Sequence, residues 1–147
     1  MLAAVVRGAG DAMGIIDDTG VICYVNEFAA RHFGYTPEQL VGTNFVELTH
    51  PDDLERNIEM MVMSAEQGEG QDWFSPPVLT RARHRDGAFR YVSVTGSVVA
   101  RTDDRVYLSI LIRPADDFVA MHAALRATID SSEPDEVQDQ SPRHRRR

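Results

Sequence analysis

The thirty residues from Tyr24 to Asp53 read Y-V-N-E-F-A-A-R-H-F-G-Y-T-P-E-Q-L-V-G-T-N-F-V-E-L-T-H-P-D-D. A strand ends in Tyr24-Val25-Asn26, a short helix carries Phe28 to Phe33, and Gly34 stops it. Asn26 stands at the helix start, where its side chain can accept from the orphan amides of the first turn. Thr36-Pro37-Glu38-Gln39 opens a second helix. Thr36 is the cap, Pro37 fills the first turn where its missing N–H does no harm, and Gln39 can complete a capping box. Gly42-Thr43-Asn44-Phe45 turns the chain, and His50-Pro51-Asp52-Asp53 starts a longer helix with acids at its positive end. Leu54, Ile58, Met61 and Val62 follow on one face until about Gln67. So many short elements in thirty residues is dense for a globular domain. Such a chain winds around a packed core or a small molecule.

On the N-terminal side, Met13 to Ile16 and Val21 to Val25 are apolar runs around Asp17-Asp18-Thr19-Gly20, which reads as a β-hairpin. On the C-terminal side, the pattern predicts a strand over Phe74 to Arg85, entered after Pro76-Pro77. Asp86-Gly87 is a strong hairpin signal, Phe89 to Ala100 is the return strand, and Val106 to Ile112 is the last. Asp116 to Ile129 reads as an amphipathic helix with Phe118, Met121, His122, Leu125 and Ile129 on one side. The order β-β-α-α-α-β-β-β-α, with antiparallel hairpins around a helical insert, makes an α+β domain with its helices on one sheet face.

At 147 residues, with 43% hydrophobic and 26% charged residues, the chain is one domain and a tail, large enough for a core without disulfides. Residues 1–10 read as an N-terminal extension and 130–147 as a disordered charged tail or the cut end of a longer protein. The single cysteine, Cys23, leaves no disulfide framework and fits a reducing cytoplasm. No apolar run reaches the roughly 18 residues of a membrane span, and Met1 to Val6 is too short for a signal core. A net charge of −8 argues against nucleic acid. All fifteen basic residues are arginine, which suggests a GC-rich bacterial genome.

Four segments in this order and spacing resemble the PAS sensor domain: D-D-T-G-V-I-C-Y-V-N-E-F-A-A, F-G-Y-T-P-E-Q-L-V-G-T-N-F, H-P-D-D, and R-H-R-D-G-A-F-R-Y-V-S-V-T-G-S-V. The likeness covers Asp11 to Arg113. It implies a five-stranded antiparallel sheet with helices on one face and a flanking C-terminal helix over 116–129. It also implies a cavity that holds flavin, haem or a metabolite in some relatives and nothing in others, dimerisation in many, and a role in bacterial signalling. One departure is Arg113-Pro114-Ala115-Asp116, which replaces the Asp-Ile-Thr motif with which many such domains lead into a signalling helix.

The resemblance also weighs the cofactors. Phe45 stands where the photoreactive cysteine of LOV domains would be, and Ala82 and Val92 stand where their flavin-binding amides would be. LOV-type flavin is therefore disfavoured. The Leu54 to Gln67 helix has no histidine for haem, and Met60, Met61 and Met63 read better as packing. Non-covalent flavin, with Trp73 near a pocket mouth, stays as the alternative. No metal-ligand spacing, phosphate loop or nucleophile–base pair is evident, so no metal and no enzymatic activity are expected. Asp52-Asp53 and Asp103-Asp104 read as helix-start and turn acids.

Strand alternation places Ala82, His84, Val92, Val94, Leu108 and Ile110 on the concave face, opposite Phe33, Leu40, Phe45, Leu48, Ile58 and Met61. Side chains fill that space, or a mostly apolar small molecule does; His84 is then the first candidate for a polar contact. Cys23 is expected to be a buried small hydrophobe. Arg81, Arg83 and Arg85 are expected on a solvated outer face with Tyr91, Ser93 and Thr95. Phe118, Met121 and Leu125 are candidate contacts of a homodimer or with an output partner, unless that helix lies back on its own sheet.

Overall fold

The computed structural model describes residues 11–67 and 73–132. Along the chain come β1 (Ala12–Asp17), β2 (Ile22–Val25), α1 (Glu27–His32) and α2 (Pro37–Leu40). Two 3₁₀ turns, Phe45–Leu48 and Pro51–Asp53, lead into α3 (Leu54–Ala65). Then follow β3 (Val78–Arg83), β4 (Phe89–Arg101), β5 (Val106–Pro114) and α4 (Asp116–Ser132). The five strands form one antiparallel sheet in the order β2-β1-β5-β4-β3. The α+β layout and the element order are those expected from the sequence.

The described residues fall into two units that divide at Ala115, with α4 a unit of its own. It runs to Ser132, three residues past the expected end, with Phe118, Met121 and Leu125 at i, i+3 and i+7 on its own surface. The proposed N-terminal extension, and the tail from residue 133 on, lie outside the described residues.

Local chemistry explains the joints. Asn26 Oδ1 accepts from Ala29 N at 2.9 Å and from Met13 N at 3.2 Å, and its Nδ2 donates to the Asp11 carbonyl at 2.7 Å. One buried amide thus caps α1 and ties it to β1. Thr36 and Gln39 form the expected capping box, at 3.3 and 2.9 Å. Asp17 folds the first hairpin by accepting from Thr19 N, Thr19 Oγ1 and Val21 N. Burial pushes its carboxyl up, but these hydrogen bonds and the Arg105 charge outweigh burial and leave it below its ordinary value.

Both sheet edges are closed by one stretch of chain. At the β2 edge, Ile22 N donates to Thr43 O, Gly42 N donates to Ile22 O, and Val21 bridges Asn44. At the β3 edge, Thr49 bridges Ala82, His50 N donates to Arg81 O, and Arg81 N donates to the Asp53 carboxylate. On a flat sheet the two bridging segments would stand about 29 Å apart, six strand spacings. The five steps from Asn44 to Thr49 reach about 17 Å at most, and the 3₁₀ turn shortens them. The sheet must therefore curl until its edges approach each other across Phe45–Leu48.

Three expectations need correction. The third strand begins at Val78, not Phe74, because Pro76 and Pro77 hold the chain out of the ladder, and it ends at Arg83. Cys23 is exposed rather than buried, since an irregularity in the β1–β2 register sends Ile22 and Val25 inward and leaves the thiol on the outer side of an edge strand. Asp53 is not a cap. Its side chain makes no capping bond and is instead buried against Arg81, which therefore is not part of a simply solvated face.

Candidate functional site

The curled sheet and the helices enclose a cavity of about 190 Å³. The reason for the void lies in one cross-strand row. Gly14 of β1 and Gly96 of β4 both pair with Ile110 of β5, so two of three neighbouring positions on the inner face have no side chain. The flanking rows are filled: Ala12, Ile112 and Val94 on one side, Ile16, Leu108 and Val98 on the other. The buried core divides accordingly, one cluster on Ala12, Val25, Ala29, Ala30 and Leu40 and a second on Ile16, Val98 and Leu108. Between them the glycine row leaves a hollow.

Of the sequence-derived candidates, the structure brings Phe33, Leu40, Phe45, Leu48, Met61, Ala82, Val92, Val94, Leu108 and Ile110 to the wall of this cavity. Ile58 is not there. The inward stripe of α3 is Asn57, Met60, Met61 and Ser64, and Ile58 falls beside it, 38% exposed. His84 is not there either. With β3 ended at Arg83, it lies in the hairpin turn, where Nδ1 accepts from Asp86 N at 3.1 Å and the ring packs against Gly34. A side chain on Gly34 would strike that ring at 2.8 Å, and the residue has φ +84°, so only glycine fits.

The wall is also less uniformly apolar than the alternation suggested. Asn57 Nδ2 donates to Thr80 Oγ1 at 2.7 Å. Ser75 Oγ accepts from Gly96 N at 2.9 Å, and Ser75 N donates to Gly96 O at 2.8 Å. Ser64, 3% exposed, reaches the cavity from α3 above Gly96. Two signals could have found these groups: glycines inside strand patterns, which mark hollows or close approaches, and polar residues at i and i+7 on the face that carries Met60 and Met61.

Beside the cavity, Arg81 grips Asp53 with two bonds, Nε to Oδ2 at 2.9 Å and a terminal nitrogen to Oδ1 at 2.8 Å. Arg56 stands 3.4 Å from the same carboxylate and donates to the Leu79 carbonyl. The Arg81 hydrogen bonds outweigh burial and hold the Asp53 carboxyl at about 2. Among the described residues no group of His, Cys, Asp or Glu side chains is arranged to hold a metal ion. No described helix is long and apolar enough to cross a membrane.

A sequence model described as the PAS fold matches residues 1–115. The chain belongs to the PAS family. This extends the likeness over Asp11 to Arg113, and PAS domains are sensory modules. Curated protein sequences give no match. Among solved structures, a PAS domain from Colwellia psychrerythraea is 20% identical with a TM-score of 0.65, covering 79% of this chain and 95% of its own. A sensory box histidine kinase/response regulator from Burkholderia thailandensis is 21% identical with a TM-score of 0.64, covering 88% and 95%. The PAS-B domain of Drosophila melanogaster Cycle, with ethylene glycol bound, is 15% identical with a TM-score of 0.60, covering 70% and 98%. At these identities the likeness is one of fold.

Proposed function

We propose that this PAS domain is a sensory and protein-interaction module of a bacterial signal-transduction protein in the cytoplasm, one that takes a small, mostly apolar molecule and signals as a dimer. The observation that carries the reading is the cavity itself, walled by apolar side chains and kept open by a row with two glycines. A packed interior rarely leaves a void larger than a water. The volume is below the roughly 300 Å³ at which drug-sized ligand sites begin, which favours a small molecule over a flavin. The spacing of Phe118, Met121 and Leu125 on α4 supports these residues as the dimer contacts. The all-arginine composition and the single cysteine support the bacterial, cytoplasmic setting.

Two measurements on the full chain test this. An absorption spectrum of the purified protein is expected to lack a flavin band in the blue, and such a band overturns the small-ligand reading. Light scattering is expected to give a dimer that falls to a monomer when Phe118, Met121 and Leu125 are all replaced by Glu. A monomer before substitution removes the helix-mediated interface.

A further inference from the structure

We infer that the cavity takes a neutral molecule built on one six-membered ring and carrying a single hydroxyl, with the ring over the Gly14–Gly96 hollow and the hydroxyl bonded to Ser64. This rests on the sensory reading above and narrows it to a chemical class. Volume comes first. A dry apolar cavity of about 150 Å³ holds a benzene, so 190 Å³ leaves room for one ring and a few substituent atoms.

Polarity comes second. Ser64 is 3% exposed and lies in the cavity wall, and among the described residues its hydroxyl makes no hydrogen bond. A buried hydroxyl is normally partnered, so one left open toward a cavity marks where a ligand group belongs. Space beneath it is kept free. A Cβ on Gly96 would stand 4.0 Å from Ser64 Oγ and 3.3 Å from Ile110 Cδ1, so any side chain there would fill the hollow. Ser75 Oγ, which accepts from Gly96 N, still has its proton to offer a ligand oxygen at the same place.

Charge comes third. The two arginines at the wall are Arg81, bound to Asp53 by both arms of its guanidinium, and Arg83, exposed with its guanidinium over the Phe89 ring. A carboxylate bonded at Ser64 would lose its hydration, and the one wall cation not paired with an acid, Arg83, is exposed over Phe89 and offers it little counter-charge. A lone water on Ser64 would satisfy the hydroxyl but fill only about 30 Å³, leaving the rest of the hollow empty.

The test uses three probes of nearly equal size: benzyl alcohol, ethylbenzene and benzoate, titrated by NMR into the full chain and its Ser64→Ala variant. Benzyl alcohol is expected to bind at least as tightly as ethylbenzene despite its greater cost of leaving water, and benzoate not to bind. Ser64→Ala is expected to weaken benzyl alcohol about 5- to 10-fold, the worth of one hydrogen bond, and to leave ethylbenzene within about twofold. Nuclear Overhauser contacts from the benzyl methylene to Ser64 are expected in the native chain, a readout that survives if the variant fails to fold. Contacts to Asn57 or Thr80 instead, equal weakening of both neutral probes, or binding of benzoate overturns the inference and leaves the sensory reading standing. Failure of both neutral rings to bind overturns the inference too. The sensory reading fails separately, when the methyl signals of Ile110, Val94 and Met61 respond to no compound in a fragment screen.

Discussion

The two ends of α3 carry buried polar groups in opposite states. At the N-terminal end, Asp53 accepts from the Arg81 backbone and from both arms of its guanidinium, with Arg56 alongside. At the C-terminal end, Ser64 is as deeply buried and its hydroxyl bonds to nothing among the described residues. The first arrangement holds the β3 edge against the helix. The second contributes nothing to the fold that a methyl group would not. The difference teaches where to look in such a domain: satisfied polar groups report architecture, and an open one beside a void reports a task.

The largest effect is expected at Asp53. Asp53→Ala leaves the Arg81 guanidinium and backbone amide without their acceptor and is expected to cost about 3 kcal/mol in urea denaturation. A much smaller loss would mean that Arg56 and water replace the carboxylate. The same bond sets a pH dependence. The Asp53 carboxyl sits at about 2 in the folded chain, below the roughly 3.9 of an unfolded aspartate. The pair's stabilisation is therefore complete above about pH 5 and lost as pH falls from about 4 toward 2. Urea midpoints across that range are expected to drop more steeply in the native chain than in Asp53→Asn.

The two hollow-forming glycines give intermediate effects that differ from each other. A Cβ on Gly14 would lie 3.0 Å from the Tyr24 carbonyl oxygen, a backbone atom that cannot step aside, so Gly14→Ala is expected to lose about 1–2 kcal/mol. At Gly96 the nearest atom is Ile110 Cδ1 at 3.3 Å, the movable end of a side chain, so Gly96→Ala is expected to cost under about 1 kcal/mol. Equal losses at both would mean that the hollow, and not the close approach, sets the cost.

Ser64→Ala sharpens the contrast from the other side. Removing an unpartnered buried hydroxyl is expected to change stability by less than about 0.5 kcal/mol, or to raise it. A loss above about 1 kcal/mol would reveal a hydrogen-bond partner for Ser64, and the two ends of the helix would then be alike.

What was legible in the sequence follows from how local each feature is. The capping box at Thr36 and Gln39 and the Asp86-Gly87 turn depend on residues within three or four positions, and both are legible in the sequence. The Asp53–Arg81 pair joins residues 28 apart, and nothing in the H-P-D-D turn distinguishes a capping acid from one that reaches across to a strand. The hollow needs the register of three strands, because Gly14 and Gly96 become neighbours of one void only through Ile110. His84 and Cys23 depart from expectation for different reasons: alternation does not carry past the end of β3 in the first case, and the usual preference of a free thiol for burial gives way to an outward position on an edge strand in the second.

The stretch from Asn44 to Thr49, which closes both edges of the sheet, also acts as a ruler for the cavity. Its five steps fix how far apart β2 and β3 can stand, and so how tightly the sheet curls over its contents. Adding a residue there would let the sheet relax and enlarge the interior with every wall residue unchanged; removing one would pinch it. Evolution can thus retune the size of what this domain admits by insertion and deletion at the exposed Val46 and Glu47, between the wall residues Phe45 and Leu48, while wall substitutions tune its polarity.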